Sequence, residues 1–432
     1  MALEYAAGTF TWSSADAVGA IYTVSGLTFQ PKAIRFFWSG ITASISPSTT
    51  SNLNRGVGFA TGISDRCSVM SFSEVSAGSA VTATFAANDA VCGVIDGAAG
   101  RTGALDINSI TASGFTVIVD DQSPISLTIV WEAWGGSDIT VAVVGDIAEP
   151  AATGSQNYAV AGFAAGATDQ VVMFAGVQST AALNAGLADD SGMHVGFAAG
   201  TTAGDNITVC GNSDDGSATM DTDGYCFCGD CLSMITVAGG NPNARASLTA
   251  FNDNSFTLNW SARGVTNRRS IFLAIKGGLW RSNFLTIDGA TLNSISTVSG
   301  LPFTPVGISV VGRMTTQSAA GVSSAHDRIS MGAGKSTSNS ATVGGWDVDA
   351  TANATIRTTA GAGLVLSFFN GSNNGFYDLD SINSDGFTIK ILSAIGVASE
   401  FIGYLTFGNA SASDRNGLIR FVNQSPNRAS RY

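Results

Sequence analysis

Residues 330–336 read Ser-Met-Gly-Ala-Gly-Lys-Ser. A glycine-flanked Gly-Lys-Ser is the tail of a phosphate-binding loop, where backbone N–H groups and a lysine hold phosphate oxygens. The full motif puts a glycine five residues before the Gly-Lys pair and opens a helix after it. The first of those positions is Ile329, and the following "STSNSATVGGWD" is polar, β-branched and glycine-bearing, a poor helix start. A strand-to-loop transition is therefore expected, and no nucleotide site.

Cysteines come next. Cys226, Cys228 and Cys231 form C-x-C-x-x-C, and Cys210 lies sixteen residues upstream. Four thiolates would suit tetrahedral zinc, but the paired C-x-x-C spacing is missing. On a strand, Cys226 and Cys228 would share one face. Three readings stay open at this point: small apolar core side chains, a zinc site, or a disulfide formed in an oxidising medium. Cys67 and Cys92 are a further possible pair.

Carboxylates are the third candidate. Asp205, Asp214, Asp215, Asp221, Asp223 and Asp230 crowd residues 205–230, "DTDG" at 221–224 resembles a fragment of a calcium loop, and "DVD" recurs at 347–349. The terminal glutamate of a calcium loop is absent, so a solvated loop is expected. Asp120 with Asp121, or Asp378 with Asp380, would be the carboxylate pairs of a glycosidase, but nothing separates them from turn aspartates. The two histidines, His194 and His326, each precede a copy of one repeated strand, and no G-x-S-x-G elbow occurs. No catalytic, cofactor-binding or metal-binding residue is assigned, and a non-enzymatic protein is expected. The seven tryptophans, which could stack on sugars, mostly sit in strand patterns that read as core or interface.

What positions these residues is a repeat. "SGFTVIV" at 113–119, "NSFTLNW" at 254–260 and "DGFTIKI" at 385–391 are copies of one segment, with Phe115, Phe256 and Phe387 spaced by 141 and 131 residues. "GFATGIS" at 58–64, "GFAAGTT" at 196–202 and "SMGAGKS" at 330–336 form a second set. This alignment sets Gly334 level with Gly62 and Gly200. "TVSGLTFQPKAI" at 23–34 returns as "TVSGLPFTPVGI" at 297–308, with "AVAGFAAGATDQVVMFAG" at 159–176 its expected counterpart in the middle. Markers of similar spacing in the same order indicate three tandem domains. Their expected spans are 1–147, 157–277 and 285–408, followed by a tail at 409–432.

The segments alternate with period two, as in "FTLNW", and are rich in Val, Ile, Thr and Phe. They are broken by Gly, Asn, Asp and Ser. The expected fold is all-β, with three tandem antiparallel β-sandwich (jelly-roll-like) domains. The best amphipathic helix candidate is "STAALNAGLADD" at 179–190.

Composition narrows the role. Hydrophobic residues make up 45% and charged residues 12%, so the chain can bury several cores but has few charges for its surfaces. Faces covered by neighbours suit such a chain. A net charge of −12 disfavours nucleic acid. No apolar run is long enough to span a membrane, and the N-terminus lacks a signal-peptide pattern, so synthesis in the cytoplasm is expected. The tail reverses the charge, with Arg415, Arg420, Arg428 and Arg431 against Asp414. Such a basic arm is a candidate docking segment for an acidic partner subunit.

Taken together, the "TVSGLTFQPKAI" strand pair, the "GVGFATG" strand and the closing "DGFT…IGYLTFG" hairpin resemble β-sandwich modules in structural proteins of tailed bacteriophages. The resemblance spans roughly residues 8–408. It implies a virion structural subunit of the appendage, fibre, collar or decoration type. Homo-oligomerisation, with a trimer the expected form, and docking to other virion proteins follow from it. A receptor-binding adhesin contacting a host surface glycan is the alternative, and a polysaccharide-degrading tailspike the second alternative.

Overall fold

The computed structural model describes residues 2–410, except 41, 43–47, 51, 77–78, 98–99, 217–221, 236–241, 265–267, 313–322, 326, 348–353, 361–364, 369–373 and 395–399. The fold is all-β and antiparallel, and the only helix among the described residues is one 3-10 turn at Ala203–Asp205. Among the described residues thirty-three strands fall into three sets of eleven.

The first unit holds β1 (Glu4–Trp12), β2 (Ile21–Ser25), β3 (Pro31–Ser39), β4 (Ser48–Thr50), β5 (Asn52–Ala60), β6 (Arg66–Ser76), β7 (Ser79–Ala87), β8 (Cys92–Asp96), β9 (Gly100–Thr111), β10 (Gly114–Asp121) and β11 (Leu127–Gly135). The second holds β12 (Val141–Ala148), β13 (Gly154–Ala159), β14 (Gln170–Val177), β15 (Ala188–Asp189), β16 (Met193–Ala198), β17 (Asn206–Ser213), β18 (Thr222–Cys228), β19 (Leu232–Met234), β20 (Ala244–Asn252), β21 (Ser255–Ala262) and β22 (Arg269–Lys276). The third holds β23 (Leu279–Ile287), β24 (Ile295–Val298), β25 (Phe303–Gly312), β26 (Ser323–Ala325), β27 (Asp327–Ser336), β28 (Asn339–Asp347), β29 (Ala354–Ala360), β30 (Val365–Phe368), β31 (Asn374–Asn383), β32 (Gly386–Ser393) and β33 (Glu400–Ala410).

Each unit pairs a seven-stranded sheet with a four-stranded one. The large sheets run β1-β11-β3-β5-β6-β7-β15, β12-β22-β14-β16-β17-β18-β26 and β23-β33-β25-β27-β28-β29-β4. The small sheets run β2-β10-β9-β8, β13-β21-β20-β19 and β24-β32-β31-β30. The last strand of every large sheet comes from another unit. β15 of the second unit pairs with β7 of the first, β26 of the third with β18 of the second, and β4 of the first with β29 of the third. The exchange is cyclic and closes on itself. It places the three units in a ring of approximate three-fold symmetry.

The two kinds of sheet differ because of what covers them. In the small sheets one face packs inward and the other meets solvent, so β21 is alternately buried and half-buried. The large sheets are covered on both faces, and β11, β14 and β16 are buried at every residue. One face packs on the unit's own small sheet. Phe36, Trp38 and Ile129 thus meet Phe115 and Val117 in the first unit, and Phe174 and Phe272 meet Phe256 and Leu258 in the second. The other face joins a common core. Phe37, Val57 and Trp134 of the first unit, Met173, Val195 and Phe197 of the second, and Val311, Met331 and Phe407 of the third belong to one cluster. Strands buried on both faces read as continuous apolar runs, which accounts for "LTIVWEAWGG" and "QVVMFAGV" beside the alternating "FTLNW".

Sheet membership relocates several expected features. Residues 141–148 pair with β22 along their whole length, so they belong with the second unit although the sequence placed 1–147 together. The gap that the sequence left between the first two expected spans, which contains Pro150, is occupied by the β12–β13 connection inside that unit. β23 begins the third unit at Leu279, leaving only residues 277 and 278 between β22 and β23. "STAALNAGLADD" is not helical. It is an arm that crosses to the first unit, with Asn184 and Gly186 at positive φ, the Asn184 N–H donating to the Ala86 carbonyl, and β15 at its end.

The marker set around "SMGAGKS" shifts by two residues. Phe36, Phe174 and Val310 are equivalent, since Trp131, Phe272 and Tyr404 are their partners. Across the next strand they face Gly58, Gly196 and Gly332. Gly332, and not Ser330, is therefore the third copy of Gly58, and Gly334 falls level with Ala60 and Ala198. The glycine is needed where β8 and β19 approach. A Cβ on Gly58 would sit 1.8 Å from the Val91 carbonyl oxygen, and one on Gly196 1.9 Å from that of Cys231.

The shared core makes a specific thermodynamic prediction. Phe197→Ala should cost about 3–5 kcal/mol. In calorimetry the whole protein should shift as one transition. Separate melting of one unit, with the others unmoved, would contradict the shared core.

Candidate functional site

The sequence candidates that fall among the described residues are dispersed over the three units. Lys335 and Ser336 are exposed at the end of β27, which turns directly into β28 with Ser336 opposite Asn339. No helix opens there, so no dipole or row of free N–H groups faces a phosphate. The cysteines are dispersed. Cys226 lies in the common core, Cys231 in the second unit's own core, and Cys210 in a small cluster with Tyr225 and Ile235. Cys67 and Cys92 lie in different clusters as well, and no described cysteine is in a disulfide. Burial pushes the Cys67 thiol up to about 12 and raises those of Cys92 and Cys231. Such thiols are poor nucleophiles. The Cys228 side chain, Asp221, Asp349, His326 and the tail arginines Arg415, Arg420, Arg428 and Arg431 lie outside the described residues.

The acidic residues have separate structural tasks. Asp230 pairs with Arg245, and the Asp215 carboxylate accepts from the Thr82 N–H of the first unit at 2.8 Å. Asp205 accepts from the Thr202 hydroxyl at 2.6 Å and lies 3.3 Å from Arg281. Among the described residues no three His, Cys, Asp or Glu side chains converge as metal ligands would. Asp378 sits in the place of Asp106, since both are two strands from an equivalent edge. Each uses Oδ1 to accept the N–H of the next residue, Leu379 or Ile107. In the second unit Ser247 stands at that position, and the N–H of the following Leu248 donates instead to Asn206 Oδ1 from β17. These carboxylates hold strand irregularities in place. All seven tryptophans are buried.

Sequence reasoning missed the polar groups inside the ring. Glu132 of β11 accepts from the Tyr5 hydroxyl and from Arg35, both at 2.9 Å, and from Ser309 of the third unit. The Arg35 guanidinium also lies over Phe37 at 4.9 Å and over Phe197 of the second unit at 5.4 Å. Both charged side chains are fully buried. Burial pushes the Glu132 carboxyl up and the Arg35 guanidinium down, while their mutual attraction opposes both shifts. A second pair crosses units, with Arg55 forming a bidentate contact to Asp327. A third contact joins all three. Ser73, Ser213 and Asp347 occupy equivalent places, and both serine hydroxyls donate to Asp347 Oδ2, Ser213 at 2.9 Å. Asp347 Oδ1 has no partner, and burial first and the neighbouring Asp327 second raise its pKa to about 6.

His194 is another buried titratable group. It is fully buried opposite Gly176 and Cys210 with neither ring nitrogen bonded, and burial lowers its pKa to about 3. With no carboxylate to orient it, it is not poised as a general base.

Among the described residues, three clefts lie at joints between units. The first, about 470 Å³, lies between units one and two beside Lys32, Gly62 and Val141. The second, about 540 Å³, lies between units two and three beside Gly200, Leu279 and Trp280. Val141 and Leu279 are equivalent, as are Gly62 and Gly200 in the repeat, so these two clefts correspond. A smaller one of about 180 Å³ lies between units three and one, beside Gly8 and Asn339.

No protein-family model matches this chain, and no curated protein matches its sequence.

Two predictions come from the buried groups. Met173 and Leu273 stand in the second unit where Arg35 and Glu132 stand in the first. Glu132→Gln or Arg35→Met alone should cost about 3–5 kcal/mol by leaving one charge unpaired, whereas the double change Arg35→Met with Glu132→Leu should cost much less. Urea denaturation of the three variants reads this directly, and a double variant as weak as the singles would refute it.

His194 and Asp347 act oppositely with pH. The folded pKa of His194 is lowered, so its contribution is full above the unfolded value near 6.5 and is lost as pH falls toward about 3. The folded pKa of Asp347 is raised, so its contribution is full below about 4 and is lost as pH rises through about 6. Each slope reaches about 1.4 kcal/mol per pH unit. The two nearly cancel between pH 4 and 6. His194→Leu should therefore flatten acid denaturation, and Asp347→Asn should steepen the loss of stability below pH 6. Midpoints measured from pH 3 to 8 check both signs.

Proposed function

We propose that this chain is a non-enzymatic structural subunit of a virion, an appendage or decoration protein made in the host cytoplasm and assembled onto phage particles. The observation that supports this reading best is the cyclic strand exchange around one common core. A body whose large sheets are buried on both faces and whose edge strands are filled by its own chain is built for persistence. Its buried polar groups serve cohesion between units. The three sheet pairs occupy the places that three subunits would take in a trimer. Further self-association would then use the outer four-stranded sheets, whose edge strands β2 and β24 expose Ile21 and Ile295 at equivalent positions. The arginines of the tail, Arg415, Arg420, Arg428 and Arg431, are the proposed docking charges for an acidic virion partner.

Mass spectrometry of purified particles should find the chain in stoichiometric amount, and a density map should show a three-lobed body at a fixed location. Changing the four tail arginines to serine should release it from particles at moderate salt without lowering its melting temperature. Particles that lack the chain altogether would overturn the proposal.

A further inference from the structure

The first two joint clefts are internal controls for one another. They occupy corresponding places, yet of the two only the cleft between the second and third units has an aromatic wall, formed by Phe251, Trp280 and Phe303 beside Leu279. In the corresponding cleft between the first and second units Ala142 stands where Trp280 does, and Ile110 also lines it. The charged groups differ as well. Lys32 in the first cleft spends its ammonium on the Ile139 carbonyl at 2.6 Å. Arg281 in the second is half-exposed, with a single contact of 3.3 Å to Asp205. That carboxylate is nearly buried and is also held by the Thr202 hydroxyl, so it anchors one nitrogen of a guanidinium that lines the cleft.

We propose that this cleft binds a carboxylate-bearing saccharide unit, of the uronic or sialic acid class. A volume of about 540 Å³ takes one to two sugar rings and lies in the range of small-ligand sites. The C–H face of a pyranose packs on the Leu279 and Phe251 wall. Its hydroxyls meet the hydroxyls of Thr201 and Thr202 on the rim. The carboxylate pairs with Arg281, since a guanidinium offers only donors and matches a carboxylate in bidentate geometry. The acidic body, at net charge −12, would repel such a ligand over most of its surface, and Arg281 supplies the local cation. The glycan contact expected from sequence as an alternative thereby acquires a place and a chemistry. The inference goes beyond the structural role and does not depend on it.

The test is titration of the intact protein with glucuronic acid, N-acetylneuraminic acid and glucose, read by ligand-observed NMR. The acidic sugars should bind with millimolar affinity and glucose at least tenfold more weakly. Arg281→Gln should weaken acidic-sugar binding at least tenfold, and Thr168→Trp, which places a large side chain on the cleft lining and keeps Arg281, should abolish it. Lys32→Gln, in the first cleft, should leave it unchanged. Equal melting temperatures show that the variants are folded. Glucose binding as tightly as the acids, no binding of either acid at 20 mM (about 2.3 kcal/mol of affinity), or insensitivity to Arg281→Gln would each overturn the proposal. Failure here would leave the particle result untouched, and absence from particles would leave this titration untouched.

Discussion

The common core is the constraint on which the rest depends. Each large sheet must cover two faces, one against its own small sheet and one against the other two units. A single unit cut from the ring would expose the inward face of a seven-stranded sheet and an edge strand whose neighbour belongs elsewhere. Exposed edges and apolar faces of that kind invite aggregation. Cyclic exchange covers three edges at once, using only two or three residues at each donated strand, which becomes a short new edge. The short strands suffice because they close a surface that packing has already brought together.

Equivalence of place has not required equivalence of chemistry. Arg35, Met173 and Ser309 occupy one position in the three units, and Ser73, Ser213 and Asp347 occupy another. Large and small side chains also trade strands. In the first unit Trp38 lies over Gly56, where a Cβ would come within 2.2 Å of the indole. In the second the glycine is Gly176, and His194 fills the space from the neighbouring strand. Volume is conserved across the pair while polarity is not. The cost of that freedom is a histidine with unbonded nitrogens, tolerable only while it stays neutral.

Strand type, repeat order and the register of Phe115, Phe256 and Phe387 were legible in the sequence, because period-two alternation reports burial on one face. All three phenylalanines pair equivalently, with Ile110, Phe251 and Ile382. The ring was not legible. Nothing local distinguishes a strand that ends a hairpin from one donated across units, and β15 is only two residues long. The arm before it resembled a helix through its Ala and Leu content, yet Asn184 and Gly186 take positive φ and the Asn184 N–H donates to Ala86 of the first unit. Local likeness also misaligned "SMGAGKS", because glycines recur every second residue there and only cross-strand pairing selects Gly332. The candidate cleft was hidden for a related reason. Its wall comes from Phe251 of one unit and Leu279, Trp280 and Phe303 of the next.

The donation of β4 to β29 carries a consequence for biosynthesis. Residues 48–50 leave the ribosome early, and their partners at 354–356 emerge about three hundred residues later. At translation rates of roughly 5–20 residues per second, the first unit waits tens of seconds for the sheet edge that its donated strand must cover. Its own large sheet meanwhile lacks β15 until the second unit follows. The final geometry therefore forms only after nearly the whole chain is available. During that interval nascent chains crowded on one messenger present matching vacant edges to each other. Correct closure depends on the tether within a chain keeping its own third unit nearer than a neighbour's.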